Sequence, residues 1–165
     1  MEYAHIKHGF QPVYDENSRV LILGSLPSVK SREQQFFYGH PQNRFWKVLA
    51  AVTGDELPGT VEEKRGFLLR NRIALYDTIY ECDIAGSSDA SIRNVVPTDL
   101  SPILNIAPIA AVFTNGAASS RTYKKYHLPV TGIEAVSLPS TSPANAAWSL
   151  DRLTGIWAEE LRKYL

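Results

Sequence analysis

The chain has 165 residues, of which 44% are hydrophobic, 10% aromatic and 21% charged, a mix that excludes disordered, collagen-like and low-complexity classes. Lys plus Arg and Asp plus Glu each number 17, so the formal net charge is zero; this argues against a globally cationic nucleic-acid binder and leaves room for a local basic patch. The one cysteine, Cys82, cannot form an internal disulfide or supply a Cys-built zinc or iron–sulfur site.

The first nine residues carry no apolar run behind a basic region, so no signal peptide is expected. No stretch approaches the ~20 apolar residues of a membrane span. With a single thiol, the expectation is one cytoplasmic domain covering residues 1–165. Four short apolar runs read as strands: Val20–Leu23, Ile73–Tyr76, Ala110–Phe113 and Ile133–Val136. The first and third are continuously apolar, as in strands covered on both faces. Helical patterns lie between them. Phe45, Val48, Leu49 and Val52 share one helical face, and Gly54 supplies a stop. Val61 to Leu69 starts near Thr60, with Glu62 and Glu63 in the first turn. Thr98 to Ile106 and Gly116 to Tyr126 are two further segments. Ser142-Pro143 reads as a helix start, followed by a long C-terminal helix with Leu150, Leu153, Trp157, Leu161 and Tyr164 on one face. Strands alternating with helices predict an α/β domain, three layers deep, around a mostly parallel four-stranded sheet.

Small and polar residues collect where these strands end. They form Gly24-Ser25-Leu26-Pro27-Ser28, Asp77-Thr78, Thr114-Asn115-Gly116 and Leu138-Pro139-Ser140-Thr141-Ser142. In open α/β sheets ligands bind outside the carboxyl ends of the strands, so one site built from these four loops is expected. The first loop is neither a Walker A loop nor a nucleophile elbow. The last loop, with its hydroxyls and its expected helix start, suits a phosphate, or is only a capping turn. Asp77 is expected at the rim as a base, a hydrogen-bond acceptor or a turn former. Asn115 either caps a helix or reads a ligand edge. The run Phe36-Phe37-Tyr38-Gly39-His40-Pro41-Gln42-Asn43-Arg44-Phe45-Trp46 places three aromatics on a loop, where a flat ligand could stack. Asn43 reads equally as a helix cap or as a chemical group. His5 and His8 lack a third ligand, so no metal site is expected.

Taken together, the strand-end Gly-x-x-Pro and Leu-Pro-Ser-Thr-Ser-Pro resemble the two motifs of the uracil-DNA glycosylase superfamily. The block His40 to Lys47 resembles that of its mismatch-specific members. The ensemble is closer still to the hypoxanthine-DNA glycosylase family. There the match adds Gly-Ser-Leu-Pro-Ser, Tyr-Gly-His-Pro-Gln-Asn, Tyr76-Asp77-Thr78-Ile79 and the run from Gly86 to Arg93. It extends from about His8 to the C-terminal helix. Mismatch-specific uracil enzymes place a water-holding Asn where this chain has Leu26, and a pyrimidine-stabilising Asn or His where it has Leu138. The resemblance therefore implies that Asn43 orients the attacking water and that the site favours a deaminated purine.

The expectation is a monofunctional glycosylase acting on damaged DNA as a monomer, without metal, cofactor or obligate protein partner. Asn43 would be catalytic. Tyr38, Asp77, Asn115 and Leu26 would contact the flipped base, with Tyr38 stacking on it. Ser28, Ser140 and Ser142 would hold phosphate. The alternatives are a uracil or G/T(U) mismatch glycosylase and a non-catalytic nucleotide-binding domain.

Overall fold

The computed structural model describes residues 2–86 and 88–165. Ser87, in the run from Gly86 to Arg93, lies outside the described residues. Four parallel strands form the central sheet: β2 (Val20–Gly24), β3 (Ile73–Asp77), β6 (Ala111–Asn115) and β7 (Ala135–Leu138), in the order β3-β2-β6-β7. Every residue of β2 and β3 is buried, which is why Val-Leu-Ile-Leu and Ile-Ala-Leu-Tyr are apolar at successive positions. The register pairs Gly24 with Asp77, Leu23 with Thr114, and Asn115 with Leu138. One end of the sheet thus presents Asp77, Gly24, Asn115 and Leu138 as a single row. Strand β2 has β3 on one side and β6 on the other, so the loops leaving it and its neighbour diverge and open a crevice there.

Helices pack on this sheet. They are α1 (Val29–Gln34), α2 (Phe45–Thr53), α3 (Val61–Arg70), α4 (Ser101–Ile106), α5 (Ala117–Thr122), α6 (Leu128–Thr131) and α7 (Leu150–Leu161). Helix α2 ends where Gly54 adopts φ 73°, as its sequence predicts. Helix α3 starts in a capping box, in which the Thr60 hydroxyl accepts the Glu63 N–H and the Glu63 carboxylate accepts the Thr60 N–H. Phe45 of α2 meets Trp157 of α7 edge-on at 5.9 Å. The Trp157 indole donates to the Pro139 carbonyl at 3.0 Å, tying the C-terminal helix to the loop after β7.

Four features depart from the sequence expectations. The fourth strand begins at Ala135, two residues later than expected. The C-terminal helix begins at Leu150 behind the Ser149 cap. Ser142-Pro143 opens turns instead, in which the Ser142 hydroxyl accepts the Ala144 N–H and its carbonyl accepts the Asn145 N–H. Phe36 and Phe37 are 2% exposed and belong to the core. A second, antiparallel sheet joins β1 (Ala4–Lys7), β4 (Ile79–Ile84) and β5 (Arg93–Pro97), in the order β1-β4-β5. Its strands mix charged and apolar residues because only part of each is covered. Ile79, Cys82 and Ile84 form its small core. Among the described residues, no helix is long and apolar enough to cross a membrane.

Candidate active site

The carboxyl end of the parallel sheet opens into a groove of about 1150 Å³, lined by residues from all four strand-end loops. Every site residue expected from the sequence lies on it: Leu26, Ser28, Tyr38, Asn43, Asp77, Asn115, Ser140 and Ser142.

Asp77 lies deeper than the rim expected for it. It is 4% exposed. Its Oδ2 faces His8 Nε2 at 2.7 Å, and its backbone carbonyl accepts from the Thr98 hydroxyl at 2.7 Å. The β1–β4 pairing delivers His8 to this place: the strand ends at Lys7, and the next N–H donates to the Tyr80 carbonyl. Phe10, Phe37 and Tyr76 surround the imidazole, with ring centroids 4.5, 6.0 and 5.1 Å away. An imidazole enclosed this way has little freedom to turn, so it fixes the rotation of the carboxylate. No sequence pattern marks this pair, because 69 positions separate its members.

Gly24 is a point of close approach. A Cβ on it would stand 2.5 Å from Asp77 Oδ1 and 2.8 Å from the Tyr38 hydroxyl. Only a glycine leaves room for both groups at the end of β2. Tyr38 itself has φ 50°, in the left-handed region, and its ring stacks on Phe45 at 4.0 Å. The Trp46 indole donates to its carbonyl at 3.2 Å. Burial, with the Asp77 carboxylate nearby, pushes the Tyr38 phenol well up. Among the described residues the buried hydroxyl has no hydrogen-bond partner.

Of the two readings of Asn43, the one at the start of α2 is visible in its hydrogen bonds. Its Oδ1 accepts the Phe45 N–H at 2.9 Å, at the start of α2, and the Thr141 hydroxyl at 2.8 Å. Among the described residues its Nδ2 has no hydrogen-bond partner, and that atom keeps some exposure. An NH₂ placed there can hold a water by its oxygen, leaving the second lone pair free. Asn115 at the end of β6 is fixed as well. Its Oδ1 accepts the Thr141 N–H at 3.1 Å and its Nδ2 donates to Thr141 Oγ1 at 3.0 Å. Thr141, which is fully buried, was missed at the sequence level.

The hydroxyls differ in what they have left to offer. Ser28 caps α1, accepting the Ser31 N–H and donating to the Ser31 hydroxyl. Ser140 and Ser142 each accept a backbone N–H, from Ser142 and Ala144, and keep their own protons for donation. Arg44 holds the turns beyond them, donating to the carbonyls of Ser142, Asn145 and Trp148. Leu26 lines the groove and packs partly on the small core of the second sheet. Leu138 is 2% exposed beneath the same groove. Lys30, Arg32 and Arg121 bring positive charge to it. Among the described residues, no group of three or more His, Cys, Asp or Glu is placed to hold a metal.

Two hydrogen-bonded side-chain amides, a buried carboxylate and serine hydroxyls with protons to donate meet at the carboxyl end of a parallel sheet in an α/β protein, an arrangement able to hydrogen-bond a polar group and an anion. The model of the uracil DNA glycosylase superfamily matches residues 11–161, and the chain belongs to that superfamily. A protein from Methanosarcina barkeri named hypoxanthine DNA glycosylase is 36% identical over 159 residues, spanning 95% of this chain and 99% of its own. One from Methanosarcina acetivorans with the same name is 36% identical over 148 residues, covering 89% of this chain and 93% of its own. A solution NMR structure from Methanosarcina acetivorans, provisionally described as a uracil DNA glycosylase, superimposes with a TM-score of 0.77 at 33% identity. It covers 93% of this chain and 97% of its own.

Proposed function

We propose that this protein is a monofunctional DNA glycosylase that removes hypoxanthine, the deaminated form of adenine, acting as one cytoplasmic, monomeric domain on damaged DNA. The observation that carries the reading is that Leu26 and Asn43 line the same groove. An apolar side chain lines the groove where uracil-directed relatives keep a water-holding amide, and a second amide offers its NH₂ to the same groove. The names of the two Methanosarcina relatives agree with it.

Deamination turns an acceptor and an NH₂ into an N–H and a C=O. Asp77 accepts the N–H, held by His8, and Asn115 donates to the C=O. Tyr38 stacks on the extruded base with the ring face that Phe45 leaves free. Ser140 and Ser142 donate to a flanking phosphate, with Ser28 beside them. As the C1′–N9 bond breaks, its electron pair leaves with the purine and positive charge grows on the sugar. Asn43 orients water toward C1′. The C1′–O bond forms, the water loses a proton to solvent, and the base takes one up. Donors around the base offset its developing negative charge. The products are free hypoxanthine and an abasic site.

The test is release of free base from matched duplexes carrying deoxyinosine or deoxyuridine, by wild type and Leu26→Asn. Wild type is expected to release hypoxanthine and little uracil, and Leu26→Asn to raise uracil release. Efficient uracil release by wild type would favour the uracil-directed alternative.

A further inference from the structure

We infer that Thr141 is the positioning residue of this site. Its hydroxyl locks the Asn43 amide with the NH₂ toward the groove and ties that orientation to Asn115. The inference deepens the glycosylase reading and rests on it.

The hydrogen-bond network permits one direction only. The Phe45 N–H must meet an acceptor, which fixes the oxygen of Asn43. The Thr141 N–H must also meet an acceptor, which fixes the oxygen of Asn115. Asn115 Nδ2 therefore donates to Thr141 Oγ1 at 3.0 Å. The single proton of that hydroxyl is left for Asn43 Oδ1, 2.8 Å away. Turning either amide over would set an NH₂ against a backbone donor. Thr141 is fully buried, so water does not compete for these bonds. Its own backbone is held too, because its carbonyl accepts the Arg44 N–H at 3.1 Å.

Asn43 and Asn115 face different parts of the substrate in the glycosylase reading, the sugar carbon and the base edge. One hydroxyl joins them. Engagement of the second Asn115 proton by a base steadies the donor to Thr141, and through it the amide that holds water. Neither the sequence pattern nor residue type marks Thr141 for this task. It acts through its neighbours and touches no reacting atom.

Thr141→Val keeps the branched shape and removes the hydroxyl, while Thr141→Ser keeps the hydroxyl. Single-turnover release of hypoxanthine is the first measurement, and affinity for a duplex with a tetrahydrofuran abasic analogue is the second. Thr141→Val is expected to slow release by roughly 10- to 100-fold, the scale of a small misplacement of reacting groups, with affinity for the analogue unchanged. Thr141→Ser is expected within about threefold of wild type because the donor is retained. A Val variant as fast as wild type would overturn the inference. So would a Ser variant as slow as Val, or a loss of affinity that matches the loss of rate. Wild type that releases neither hypoxanthine nor uracil would remove the glycosylase reading, and this inference with it. An active wild type beside an equally active Val variant removes this inference alone.

Discussion

Asn43 accepts the first N–H of α2 with its oxygen and, in the proposed reading, offers its NH₂ to the attacking water, so removing it is predicted to act on both stability and chemistry. Asn43→Ala is predicted to lower single-turnover release by roughly 100- to 1,000-fold, as for loss of one preorganised polar group in an active site. It also deletes the Phe45 cap bond, which costs about 0.5–2 kcal/mol. At roughly 2–4 °C per kcal/mol for a chain of this size, a Tm lowered by several degrees accompanies a rate loss far too large to follow from it. Retained activity within a few-fold of wild type would contradict the assignment. For Tyr38, Ala is predicted to reduce release by about 10- to 100-fold, the value of one base–aromatic stack. Phe is predicted to be tolerated, because the hydroxyl has no protein partner to lose. If Phe and Ala are equally damaging, that buried hydroxyl touches the base and stacking is the wrong role. The amides and Asp77 stand out in the sequence because each follows an apolar strand or opens a helix. His8 and Thr141 do not, because their roles come from partners brought together by the fold: Asp77 in one case, Asn43 and Asn115 in the other.

The elements that hold the groove are separable from those that only hold the fold. The capping box of α3 stands away from the groove. Thr60→Ala should therefore cost about 1 kcal/mol and leave hypoxanthine release unchanged, checked by thermal unfolding beside the single-turnover assay. The Trp157 indole, by contrast, anchors the loop carrying Ser140 and Thr141. Trp157→Phe leaves the part-buried Pro139 carbonyl without this donor, at a cost of about 0.5–1.5 kcal/mol, and should slow release as well as lower Tm. Equal activity in the two variants would mean that the loop keeps its place without α7. Strands β2, β3 and β6 were legible because burial on both faces demands unbroken apolar runs, whereas β7, with two of its four residues exposed, was expected two residues too early. The second sheet was not legible: Glu81 and Asp83 do alternate with buried Cys82 and Ile84, but the alternation covers only these four residues, and the pairing with β5 shifts register between Ile79 and Asp83, so no longer apolar period marks the strand. The helix expected at Ser142 failed for a local reason: the Ser142 carbonyl is held by Arg44 and by a turn, and the helical cap falls instead to Ser149, whose hydroxyl accepts the Arg152 N–H.

Across the whole molecule a zero net charge coexists with a groove bordered by Lys30, Arg32 and Arg121. Affinity for duplex DNA should therefore fall with salt, but gently. Each neutralised phosphate contributes ~0.9 to the log–log slope, so three contacts give a slope of roughly −3. Arg121→Ala should reduce its magnitude by about one. A slope typical of a strongly basic DNA binder would reveal a cationic face elsewhere. The central claim is that this groove selects a deaminated purine and that Asn43 directs water to the sugar carbon C1′ of that nucleotide. Its most direct test is single-turnover base release from otherwise identical duplexes carrying inosine, uracil, xanthine or a G·T mismatch, with wild type and Asn43→Ala side by side. The account predicts that wild type releases hypoxanthine faster than any other base and that Asn43→Ala does not. Uracil release equal to or faster than hypoxanthine release, or an Asn43→Ala variant as active as wild type, would contradict it.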